Sequence, residues 1–291
     1  MAGSAWKWVA GCGIGCLTII IAAASLGVGG FMLARGAVRE VKQITDLQDQ
    51  VGQRFGSIDD YSPRSGATAA SRMEAFSRVR EAMGAVMKDL DDQSTAFPPK
   101  DGPKGFIEGL KAIRGGVKAV STIGRLIEAR NRALLDAEMG FGEYYYLYGT
   151  VYYAWLGHSP LDCPPGVAIH AQDGGHIMSF TDGEASSDLD RAYRDAYMGL
   201  LRRALSAGES AGSLEEPWLT AVRKELDALE ADRDRLPWAD GLPPMLATGL
   251  GPFKARLEPL YWKTANCFEL TTLQSGNRLR ERLLEAEEDV V

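Results

Sequence analysis

The chain has 291 residues, with 32 basic and 39 acidic side chains and a net charge of −7. Beyond any anchor, that length suits one large domain or two small ones. The acidic balance, with no basic run or stripe, excludes the electrostatic footprint of a nucleic-acid-binding protein.

The first element is apolar. No charged residue lies between Lys7 and Arg35, and as a helix rising 1.5 Å per residue the run reaches about 40 Å. The hydrocarbon core of a bilayer is about 30 Å thick, so the segment is long enough to span it. A secretory signal stops soon after its apolar stretch; here the small-residue run Ala22-Ala23-Ala24 is followed by Leu26, Val28, Phe31, Met32 and Leu33. Val9-Ala10-Gly11-Cys12 resembles a lipobox, but such a box closes an apolar stretch and this one opens it. The reading is an uncleaved single-pass helix within residues 1–36, with the lipid bilayer as partner. Gly11 and Gly15 form a GxxxG pair, and Gly27 and Gly29 pair with Ala23 and Ser25 at the same spacing. Close backbone approach at such positions lets membrane helices pack, which makes self-association through the anchor an expectation beside the plainer one of a glycine-rich membrane helix. Arg35, Arg39 and Lys42 pull the following domain toward the cytoplasm, whereas the short basic start reads as an exported signal-anchor. The side of the membrane stays open.

Ala37, Val41, Ile44, Val51, Phe55 and Ile58 recur at helical spacing, which predicts a helical stalk over 37–61. Ser62-Pro63 and Gly66 end it. Residues 62–291 read as an α-helical domain with a loop-rich insertion at 158–186, so the fold class is mainly α. Its first helix carries Phe76, Val79, Met83, Val86 and Leu90 and closes on Asp89, Asp91 and Asp92, an acidic end without the spacing of a calcium loop. A second runs from Phe106 through Ile113, Val120 and Ile127 to Leu134. The third, GFGEYYYLYGTVYYAWLG, sets Phe141, Tyr145, Tyr148, Tyr152 and Trp155 on one stripe and Tyr146 and Tyr153 on another flank. A helix that is apolar nearly all round belongs at the centre of a domain. VAIHAQ and HIMSF flank Asp173-Gly174-Gly175 and read as a β-hairpin. Helices resume from Asp188 to Leu205 and from Glu215 to Arg235. WADGLPPMLATGLGPF reads as an irregular connector, and PFKARLEPLYWKTANCFELTTLQ as two helical pieces divided near Pro259. A last helix carries Leu279, Leu283 and Leu284.

Two places offer chemistry. His158, His170 and His176 all fall in the insertion, with Asp162, Cys163 and Asp173 among them. Imidazole, thiolate and carboxylate are the usual ligands of zinc, although these spacings match no standard zinc signature. On the hairpin reading His170 and His176 are cross-strand neighbours. The tyrosine wall of Tyr145, Tyr148, Tyr152 and Trp155 can grip a lipid tail or a flat ligand, or it is a core helix whose hydroxyls bond to the protein itself. Glu143 lies in this apolar stretch and is a candidate acid or base if buried; otherwise it is a helix-start residue. Glu269 in NCFELTTL is a similar case. Cys163 and Cys267 pair in an oxidising compartment and are buried thiols in a reducing one. Nucleophile elbows and phosphate loops do not occur. The leading reading is a non-enzymatic, membrane-anchored helical protein without cofactor that binds a protein partner or organises an assembly. The alternative is a metal- or ligand-binding protein, a zinc-dependent enzyme included, centred on 158–176 and 141–155.

Overall fold

Three long helices follow from three apolar stripes. In the computed structural model they are α1 (Val28–Phe55), α2 (Ala70–Ser94) and α3 (Phe106–Asp136). The structure describes residues 28–63, 68–94, 106–163, 167–172, 175–180, 187–211 and 216–274. On α2 the residues Met73, Phe76, Val79, Met83, Met87 and Leu90 are all fully buried, the one-faced burial that their three- and four-residue spacing dictates. Each such side chain contributes about 1.5–3 kcal/mol when fully removed from water.

The order of these helices is set by a few cross-links. Gln43 donates to Glu128 at 2.7 Å, and a Cβ on Gly140 would lie 2.9 Å from that of Phe55, so α1 and α3 run in the same direction. Arg72 donates to the Glu138 carbonyl at 3.0 Å and Arg125 bridges to Asp89 at 3.3 Å, so α2 runs against α3. The segment expected as a stalk is therefore packed along α3 over part of its length, with Val51 fully buried.

A short helix α4 (Phe141–Tyr148) passes without a break into a π-helix over Gly149–Trp155. Gly157, at φ +75°, ends it with a left-handed residue that glycine adopts without strain. Two strands follow, β1 (Val167–Gln172) and β2 (Gly175–Phe180), paired antiparallel with Val167 opposite Phe180. Then α5 (Ser187–Ala211) and α6 (Glu216–Ala231) pair, joined by Arg194 donating to the Leu229 carbonyl and by Arg202–Glu230 at 2.8 Å. Arg203 on α5 holds the turn after α1 through the carbonyls of Ile58 and Tyr61, each at 3.0 Å.

Past α6 the chain turns at Trp238, a buried residue at φ +60° whose backbone N–H donates to Glu225 at 2.6 Å. The stretch expected as an irregular connector contains α7 (Pro244–Leu250), with proline at its first position where a missing N–H costs nothing. After α8 (Lys254–Leu257) and a 3-10 turn at Glu258–Leu260, α9 (Lys263–Gln274) crosses back over α2. Thr264 donates to Asp91 at 2.5 Å, and Arg256 grips Glu81 at 2.6 Å and Glu74 at 2.5 Å.

The described part of the chain is mainly α-helical. Among the described residues no helix is long and apolar enough to cross a membrane. Residues 1–27, which include Gly11, Gly15, Gly27 and most of the expected anchor, lie outside them; Gly29 falls in the first turn of α1.

Candidate functional site

The middle of the bundle is an arginine. Arg80 sits on the apolar stripe of α2, one turn after Phe76, and is fully buried. Its Nε donates to the Tyr152 hydroxyl at 3.2 Å, Nη1 donates to the Tyr144 hydroxyl at 2.8 Å and to Glu269 Oε1, and Nη2 donates to the Leu260 carbonyl at 2.7 Å. Tyr144 in turn donates to Glu269 Oε2 at 2.6 Å. The rings of Tyr148 and Tyr152 each lie 5.1 Å from the guanidinium carbon, close enough for cation–π attraction. Burial opposes the charge on Arg80, yet Glu269 and the surrounding tyrosines outweigh it and hold the guanidinium well above its ordinary range. Burial also pushes the Tyr144 phenol well up, against the pull of Arg80, so it stays neutral and donates. A second buried arginine, Arg130 on α3, responds to the same carboxylate: burial lowers its pKa and Glu269 opposes the shift.

Asn266 on α9 ties this core to the loop beyond it. Its Oδ1 accepts from Tyr148 at 2.9 Å and from Tyr153 at 2.6 Å, and its Nδ2 donates to the carbonyls of Ser159, Pro160 and Asp162 at 3.3, 3.0 and 2.9 Å. The two tyrosines are five residues apart. In an α-helix that interval turns the second about 140° away from the first; in a π-helix the hydrogen bond itself runs over five residues. The π segment thereby brings Tyr153, expected on another flank, to the same oxygen as Tyr148. π-helices are rare and recur at functional sites.

Where this assembly nears the surface, the His158 ring stacks on Tyr261 at 3.7 Å and 7°. Tyr261 donates to Asp162 at 2.9 Å, and Asp162 bridges to Lys263 at 3.2 Å. Burial lowers the pKa of His158, opposed by Asp162 and Glu258, which favours the neutral ring.

The residues singled out in the sequence are distributed as follows. Tyr145, Tyr148 and Tyr152 are buried, and Trp155 is half-buried at the end of the π segment. The hydroxyls of Tyr148 and Tyr152 are bonded within the protein. Glu143, in the first turn of α4, forms a two-point bridge with Arg72 at 2.6 and 2.5 Å. His158 and Asp162 both border Tyr261, and Cys163 is a free, half-buried thiol. Among the described residues no three His, Cys, Asp or Glu side chains are placed to hold a metal ion. Asp173 lies outside the described residues, as do the side chains of His170, His176 and Cys267. The strand register sets His170 opposite Ile177 and His176 opposite Ala171. The two histidines are therefore not partners in the strand register.

Compared with known protein families, curated proteins and solved structures, the chain matches none. The site's meaning therefore rests on its geometry. Arg80, Arg130, Asn266 and Tyr261 escape a reading that looks for metal ligands and nucleophiles. A signal for two of them was in the sequence: Arg80 stands four residues from Phe76 and three from Met83, and Arg130 stands four residues from Leu126 and four from Leu134. A charge on an apolar stripe is a buried charge, and a buried charge requires a partner.

Proposed function

We propose that the chain is a non-enzymatic, membrane-tethered helical protein whose bundle binds a protein partner or organises an assembly at the bilayer surface. The observation that carries this reading is the closure of the aromatic core: Tyr144, Tyr148, Tyr152 and Tyr153 direct their hydroxyls to Arg80, Glu269 and Asn266. Polar groups that a ligand pocket would present to a substrate are consumed here in holding α2, α4 and α9 together. The tether is supported by the uncharged run between Lys7 and Arg35, whose length as a helix exceeds the hydrocarbon core. The bilayer side is left to experiment.

Two measurements on the full-length chain test it. Expressed in cells, the protein should stay with the membrane fraction after alkaline extraction and retain its N-terminal residues by mass. Mature chains that begin beyond residue 24 and float free of lipid would remove the tether. Metal analysis of the purified protein should find no stoichiometric zinc. Zinc that is present, and is lost in His170→Ala/His176→Ala, would replace this reading with a metal site in the insertion.

A further inference from the structure

The tyrosines form a pattern that partner binding does not require. All ten in the sequence belong to one connected set of ring contacts, with centroids 4.8 to 6.2 Å apart. Tyr144 donates to Glu269 at 2.6 Å and Tyr261 to Asp162 at 2.9 Å. Between these two lie only Tyr148 and Tyr152, at successive separations of 6.1, 4.9 and 5.2 Å. Tyr144 is fully buried and Tyr261 is half-buried.

A phenol gives up an electron readily only where its proton can leave with it, because the oxidised phenol is a strong acid. A carboxylate at hydrogen-bond distance is the base that takes that proton. Tyr148 and Tyr153 share an amide oxygen and Tyr152 faces Arg80 and a carbonyl, none of which is a base of this kind. Tyr144 and Tyr261 each have such a base at hand, and the Tyr148 and Tyr152 rings between them are the bridge.

We propose that these two tyrosine–carboxylate pairs, joined by Tyr148 and Tyr152, relay one-electron oxidising equivalents from the core of the bundle to Tyr261 near its surface. The initiating oxidant is a one-electron acceptor of the high-valent metal-complex class. It takes one electron from Tyr144, whose phenolic proton passes to Glu269. An electron then moves from Tyr261 through the Tyr152 and Tyr148 rings to the Tyr144 radical. Glu269 returns its proton to Tyr144, and the Tyr261 proton passes to Asp162. One electron and two short proton moves balance the exchange, and each carboxylate ends with the proton state its tyrosine dictates. The direction follows from the neighbours. A proton on Glu269 strips buried Arg80 of its counter-charge, which is costly. A proton on Asp162 weakens only a bridge to exposed Lys263, whose charge water already screens. The hole therefore settles on Tyr261, beneath the stacked His158 ring.

The test uses the full-length chain in detergent micelles, its native cysteines replaced by serine. A ruthenium photo-oxidant is tethered to Arg78→Cys on the exposed face of α2, and flash-generated radicals are read by low-temperature electron paramagnetic resonance with ring-deuterated tyrosine. A tyrosyl signal that is lost in Tyr261→Phe assigns the terminus. Asp162→Asn keeps a hydrogen-bond acceptor but no base, and should also lose that signal, with Asp162→Glu restoring it. Tyr152→Phe should leave the radical on Tyr144. Each variant is first matched to the parent by circular dichroism and melting. A Tyr261 signal that survives Asp162→Asn, or is undiminished in Tyr152→Phe, overturns the relay; so does a radical on any tyrosine other than these two in the parent.

Discussion

Glu269→Gln isolates the charge of the central carboxylate from its shape. The glutamine keeps an oxygen that can accept from Tyr144, fills nearly the same volume, and removes one negative charge from a site where the Arg80 and Glu269 side chains are 0% and 1% exposed. Arg80 then remains ionised in an interior that offers it tyrosine hydroxyls, one carbonyl and ring faces but no anion. Removing one partner of a buried pair typically costs about 3–5 kcal/mol, a large fraction of the roughly 5–15 kcal/mol that holds a domain folded. Guanidinium unfolding of the micelle-bound chain, followed by far-ultraviolet circular dichroism, should show a midpoint lowered accordingly at an unchanged slope. The double variant Arg80→Met/Glu269→Gln should recover part of the loss, because the stranded charge is gone. Recovery stays incomplete by about 1–3 kcal/mol, since the Tyr152 hydroxyl and the Leu260 carbonyl lose their donor. A single variant within about 1 kcal/mol of the parent would refute the reasoning, because such a value belongs to a surface bridge. So would a double variant less stable than Glu269→Gln alone.

Asn266→Asp replaces the amide that three carbonyls share with an anion that repels them, and should cost about 3 kcal/mol or more; hydrogen exchange at 159–162 should rise, and unchanged protection there would count against the clamp. The Tyr193 hydroxyl is buried with no hydrogen-bond partner among the described residues, so Tyr193→Phe should be neutral or stabilise by up to about 1 kcal/mol, and a clear loss in the unfolding midpoint would reveal a partner. His158 has its pKa depressed below the ordinary 6.5, chiefly by burial. Its contribution is present above 6.5 and is lost as the pH falls through the folded value, since the unfolded chain then binds the proton more readily. His158→Phe keeps the stacked ring and should flatten that part of the melting-temperature profile; a variant as pH-sensitive as the parent would assign the effect elsewhere.

The helices were legible because water selects them residue by residue. Phe76, Val79, Met83 and Leu90 report the buried face of α2 through their spacing alone, and Leu189, Tyr193, Tyr197, Leu200 and Leu201 do the same on α5; on α3, Leu134 is buried but Ile127 is only half-buried. Legibility failed where the period changes. The aromatic helix was read with one α-helical stripe from Phe141 to Trp155, but its second half is π, and Tyr153 shares an acceptor with Tyr148. Nothing in YYYLYGTVYYAW announces that shift, and Asn266, the acceptor that Tyr148 and Tyr153 share, lies more than a hundred residues on. The stretch WADGLPPMLATGLGPF reads as an irregular connector, whereas Pro244 begins a helix within it. Glu143 was legible as a helix-start carboxylate, though its partner proved to be a side chain, Arg72, supplied by a different helix.

The network also explains how a bundle of amphipathic helices settles on one arrangement. Hydrophobic contact is non-directional, and a stripe of methionines and leucines tolerates sliding by a turn. Arg80 does not. Shifting α9 by one turn along α2 would carry Glu269 roughly 5 Å from the guanidinium and leave both charges desolvated, which no apolar gain of that size offsets. Thr264 on Asp91 and Asn266 on Tyr148 fix the same register from two other points. Stability in this protein is therefore spread over its apolar stripes, while the choice of partner for each helix is made by a few polar side chains. That division predicts a loss of about 3 kcal/mol or more in variants of Glu269 and Asn266, whereas methionine-to-leucine changes on α2 cost less than about 1.5 kcal/mol, each read from the unfolding midpoint at an unchanged slope.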